Sequence, residues 1–149
     1  VTLLHGTYAK DYSIHPASWS YAYKGRPIMP CWEAFDWLPW NGESMLHYYY
    51  ENAAGHYQAV AAMPRSLLTS AFVSGDGKRA LIVVSNLDRK EIPQAKVTLD
   101  PGALGMRGEV EQLRAEDGIT AEETVSLDNG VLHISIRPER YRLVKVWME

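Results

Sequence analysis

Strict alternation of apolar and polar positions marks the end of this chain. In "TVSLDNGVLHISIR" (124–137), Val125 and Leu127 alternate with polar residues as far as Asp128-Asn129-Gly130, and Leu132, Ile134 and Ile136 alternate out again. Successive side chains of a strand point to opposite faces, and Asn-Gly accepts the positive φ of a tight turn, so the segment predicts a β-hairpin. Similar stretches precede it. "SLLTSAFVS" (66–74) is rich in β-formers and runs into "GDGK", where Asp76-Gly77 supplies the positive φ of another hairpin. "RALIVVSN" (79–86) is nearly all apolar, the mark of a central strand covered on both faces. "KVTLD" (96–100) alternates, "GEVEQLRA" (108–115) is polar enough for an edge, and "YRLVKVWM" (141–148) closes the set. About seven short strands separated by turn residues predict an antiparallel β-sandwich over residues 66–149.

The first part of the chain obeys other rules. "CWEAFDWL" (31–38) has room for two helical turns before Pro39 stops them. "SMLHYYYENAAGHYQAVAAM" (44–63) reads as helix, with Ser44 as N-cap, a break near Gly55 and a stop before Pro64. An extended course through the triple tyrosine is the competing reading, because Tyr favours strands. The chain therefore divides into an aromatic-rich, irregular and partly helical segment, 1–64, and a mainly β domain, 65–149.

Composition sharpens that division. Thirteen of the sixteen Phe, Trp and Tyr residues lie within residues 1–60, with only Phe72, Tyr141 and Trp147 beyond, and four of the eight prolines fall in the first 40. At 149 residues with 46% hydrophobic and 22% charged content, the composition is that of a folded globular chain. A net charge of −3 offers no basic footprint for nucleic acid and no polybasic patch for a membrane surface. No apolar run approaches the ~20 residues of a membrane helix. A single cysteine, Cys31, rules out an internal disulfide and leaves the compartment open. The chain starts at Val1, without a methionine or a signal peptide, and reads as a piece of a longer protein or a mature product.

Candidate chemistry is sparse. Glu33 and Asp36 stand three residues apart, so on a helix they would share a face. Glycosidases need two carboxylates flanking a bond, and neighbours on one turn cannot flank anything; solvation or capping accounts for them better. The five histidines show no metal-ligand spacing. Ser44 in "GESM" lacks the second glycine of a nucleophile elbow, and Cys31 has no defined base. No glycine-rich loop cradles a phosphate. No cofactor is expected, and an enzyme complete in this chain is disfavoured.

The tryptophans remain. Trp19, Trp32, Trp37 and Trp40 could form a sugar-stacking platform, with Trp37 or Trp40 the best candidates to face a sugar. Burial is the competing reading, since each such side chain removes about 150–250 Å² from water. Three of the four crowd into "CWEAFDWLPWNG" (31–42).

The segment "FDWLPWNG", then Asp76-Gly77-Lys78, Val84-Ser85-Asn86, Leu99-Asp100-Pro101 with Leu104-Gly105, and the closing "YRLVKVW", together resemble the tail of bacterial multidomain glycoside hydrolases. In those proteins a (β/α) barrel is followed by a small C-terminal β-sandwich. The resemblance covers residues 66–149 well and 30–65 loosely, and it carries no catalytic residue, because the barrel strands that would bear one are absent. It implies a non-catalytic accessory sandwich whose partner is the catalytic barrel of the same parent, with residues 1–64 as barrel end or linker. It also implies an extracellular or periplasmic setting. The alternative from a different class is an autonomous carbohydrate-binding module that uses the tryptophan platform.

Overall fold

The computed structural model describes residues 59–118 and 124–149 in full and residues 45–48 as backbone. These residues form nine strands: β1 (Met45–Tyr48), β2 (Val60–Met63), β3 (Leu68–Val73), β4 (Arg79–Asn86), β5 (Ile92–Leu99), β6 (Leu113–Asp117), β7 (Ser126–Asp128), β8 (Val131–Ile136) and β9 (Arg140–Met148). Two antiparallel sheets result, one in the order β1-β3-β4-β9-β6 and one in the order β2-β5-β8-β7. The β-sandwich expected from alternation is therefore present, and all seven expected strands are in it.

The two further strands correct the sequence reading. Residues 44–63 were expected to be helical, yet β1 and β2 lie at its two ends. β2 pairs along β5 from Val60↔Leu99 to Met63↔Lys96, and β1 pairs along β3 from Met45↔Val73 to Tyr48↔Ser70. Each lies at an edge and supplies a neighbour that β3 or β5 would otherwise lack. Pairing to a distant strand overrides the helix propensity of short Ala- and Met-containing segments. The competing extended reading holds at Tyr48, while Tyr49 and Tyr50 lie outside the described residues, as does the helix expected over 31–38.

The contiguous core sits between the sheets. Ala71, Val73, Ala80, Ile82, Val84, Leu113, Val144 and Val146 face Val60, Ala95, Val97, Leu99, Leu132, Ile134 and Ile136 across it. Three side chains of the five-stranded sheet reach over and donate to carbonyls of the other sheet. Thr69 Oγ1 donates to Val60 O at 3.2 Å. Asn86 Nδ2 donates to Ile136 O and Arg137 O at 3.4 and 3.3 Å, and to Lys90 O at 2.7 Å. Arg142 Nη1 donates to Ser135 O at 2.8 Å. Thr69 and Arg142 both stand opposite Val84 in the register, and Asn86 ends the same strand, so one end of the sandwich is closed by polar clamps.

Turn chemistry explains the connections. Between β3 and β4, Ser74 Oγ donates to Asp76 Oδ1 at 2.6 Å, Lys78 N–H donates to the same oxygen at 2.9 Å, and Gly77 takes φ +68°. A Cβ on Gly77 would lie 2.7 Å from Gly105 O, so that glycine is required twice over, by conformation and by space. The β7–β8 turn has Asn129 at φ 44° and Gly130 at φ 77°, the two left-handed residues of a type I′ hairpin. The "LDPGALG" stretch after β5 is a one-turn helix, α1 (Pro101–Leu104). Asp100 Oδ1 caps it by accepting from Ala103 N–H at 3.0 Å, Pro101 occupies its first turn, and Gly105 ends it at φ 76°.

The strand expected over 108–115 begins only at Leu113. Val110–Gln112 form a 3-10 turn, and Gln112 Oε1 accepts from Glu109 N–H at 2.9 Å. The strand does lie at a sheet edge, as its polarity implied. β5 starts earlier than expected, at Ile92, because a register shift between Ile92 and Ala95 accommodates Pro93.

The hydroxyl of Ser74 and then the Lys78 N–H hold the Asp76 carboxyl below its ordinary value of 3.8. A depressed folded-state pKa adds stability that is fully present above the unfolded value and lost as pH falls through the folded one. Asp76→Asn should therefore lower the urea midpoint at neutral pH, by a small amount because the turn is exposed. That deficit should close well below pH 3.8. A deficit independent of pH would show that the charge plays no part.

Candidate functional site

Strand β4 is apolar on both faces, and this creates the molecule's most informative surface. Register places Phe72 beside Leu81 and Val83 beside Leu143 on the face of the five-stranded sheet turned away from its partner sheet. All four side chains are at most 1% exposed, yet none belongs to the contiguous core between the sheets. The central strand is covered on both sides, as its run of apolar residues implied.

Polarity changes across this second face. Its apolar centre lies over β3, β4 and β9. Toward the β6 edge, Lys145 Nζ lies 3.2 Å from Glu116 Oε1, and Arg114 pairs with Glu149. Trp147, half-buried, stands in register between Arg79 and Arg114. Tyr141 is opposite Ser85 and 37% exposed. Such a surface can pack against apolar groups at one side and meet water at the other. Sequence reasoning had the apolar run of β4 but no means to tell which of its two faces would meet the second sheet.

The buried charges have structural partners. Arg142 Nε and Nη2 donate to Asp117 Oδ2 at 3.0 and 2.6 Å. Among the described residues no group of three or more His, Cys, Asp or Glu could hold a metal ion. His133 is half-buried on β8, opposite Lys96 and Ser126. No helix among the described residues is long and apolar enough to cross a membrane. Trp19, Trp32, Trp37 and Trp40, with Glu33, Asp36, Cys31 and Ser44, lie outside the described residues.

No family model matches the chain, and no curated protein matches it. A weak structural likeness links it to alpha-L-fucosidase isoenzyme 2 from Paenibacillus thiaminolyticus, with a TM-score of 0.38 and 14% sequence identity. The match covers 66% of this chain and 16% of that one, so the chain corresponds to a small part of that protein's length.

Proposed function

We propose that this chain is the accessory β-sandwich of a glycoside hydrolase, together with the segment that leads into it, and that its role is to support a catalytic barrel. The observation that carries this reading is the use made of the three motifs shared with such tails. Asp76-Gly77 forms the β3–β4 turn, Asn86 clamps the sheets, and Asp100 with Gly105 caps α1 at both ends. Each motif is a joint of the fold, and none presents a nucleophile or a carboxylate pair to a cleft. A chain whose characteristic residues are spent on joints serves by its shape and its packing.

Intrinsic tryptophan fluorescence of the full chain across a glycan panel tests the reading. No saturable change is expected. Saturable quenching or a blue shift from a monomer would overturn it in favour of an autonomous carbohydrate-binding module. The coding sequence upstream of Val1 gives the complementary test. A (β/α) barrel in the same frame is expected, and a start codon close to Val1 would refute the accessory role.

A further inference from the structure

We propose that the outer edge of β6 pairs with β6 of a second copy of this chain, in an antiparallel register centred on Ala115. This pairing does not depend on the accessory role. The strand reads Leu113-Arg114-Ala115-Glu116-Asp117. Turned end for end about Ala115, it sets Arg114 against Glu116 and Glu116 against Arg114. Opposite charges directly across a strand pair attract, and like charges repel.

The edge is oriented for such a partner. β6 is the last strand of the five-stranded sheet, and among the described residues no strand lies beyond it. Gly118 N–H donates to Leu143 O at 2.8 Å, and Glu149 N–H donates to Gln112 O at 3.0 Å. These bonds turn the main-chain groups of the even-numbered residues toward β9, so Leu113, Ala115 and Asp117 turn theirs outward. Asp117 shows the consequence. Its side chain is only 3% exposed, so the remaining exposure of this half-buried residue is main chain. Arg114 and Glu116 stand on the second face of the sheet, with side chains 45% and 55% exposed.

Charge selects the register. A shift of one residue would turn the matching side chains of the two copies to opposite faces. A shift of two sets Arg114 against itself in one direction and Glu116 against itself in the other. Only the pairing about Ala115 continues the row from Lys145 through Glu116 to the partner's Arg114, with alternating sign. The edge is also partly shielded. Arg114 Nη1 donates to Leu113 O at 2.9 Å and to Glu111 O at 3.0 Å, and pairing requires that guanidinium to swing toward the partner's Glu116. A five-residue strand also buries less than the ~1,000 Å² of a durable interface. The association is therefore weak and set by concentration.

Sedimentation velocity of the full chain over a concentration series is the test. The wild-type chain should move from monomer toward dimer between micromolar and millimolar concentration. Arg114→Glu and Glu116→Arg each set like charges across the pair, so each alone should stay monomeric where the wild type is half dimer. Both positions are exposed, and circular dichroism should show the fold retained. Mixed one to one, the two variants should form a heterodimer, because each offers the charges that the other lacks. A wild-type chain that stays monomeric to millimolar concentration would overturn the proposal. So would self-association that both reversals leave intact, which would place it on another surface. Variants that stay monomeric when mixed would refute the register and the pairing with it.

Discussion

Arg142→Met should lower the stability of the chain by roughly 3–5 kcal/mol, read as a large drop in the urea midpoint with little change in slope. The side chains of Arg142 and Asp117 are only 6% and 3% exposed. Two guanidinium nitrogens converge on one carboxylate oxygen, and the third reaches Ser135 O in the other sheet. Removing the guanidinium takes two donors from a carboxylate in a dry site and one from a β8 carbonyl. The penalty comes less from the lost attraction than from the charge left behind, since the desolvation cost of Asp117 is still incurred. The double variant Arg142→Met with Asp117→Leu removes both charges and should recover most of the loss. A single-variant loss below about 1 kcal/mol, the range of exposed pairs, would mean that water reaches this clamp.

Leu81→Ala should cost as much as Ile82→Ala, about 2–5 kcal/mol each. The two residues are neighbours on β4 and both are 0% exposed, but they lie on opposite faces of the sheet. Ile82 belongs to the core between the sheets, and Leu81 belongs to the second face. Equal losses in chemical denaturation of the full chain would establish two packed layers, one on each side of the five-stranded sheet. A Leu81→Ala loss of only a few tenths of a kcal/mol, beside a full loss at Ile82, would show that the second face is loosely covered.

Much of the sandwich is legible in the sequence. The β7–β8 hairpin follows from period-two alternation on either side of Asn129-Gly130, and both turn residues have the positive φ that the dipeptide permits. β4 follows from its unbroken apolar run, and the polar β6 lies at an edge. β1 and β2 were missed because four residues carry too little periodicity to oppose a plausible helix, and their conformation is decided by partners 22–39 residues away. α1 was missed for the opposite reason. Its signals, Asp100, Pro101 and Gly105, are strong, but the helix between them is a single turn.

The candidate site was less legible than the fold. The crowding of tryptophans in 31–42 pointed to a contact without saying with what. Nor did "YRLVKV" reveal that Arg142 turns into the core while Leu143 faces away from it, because both flanks of that strand are apolar enough to be buried.

The sequence by itself determined the strands of residues 66–149 and the turns between them, because alternation, Asn-Gly, Asp-Gly and Pro chemistry act over a few neighbouring residues. The tertiary structure alone decided that β1 and β2 complete the edges, that Thr69, Asn86 and Arg142 bind one sheet to the other, and that β4 has two buried faces. Those outcomes depend on hydrogen-bond partners and apolar surfaces supplied from distant parts of the chain, and no local pattern specifies them.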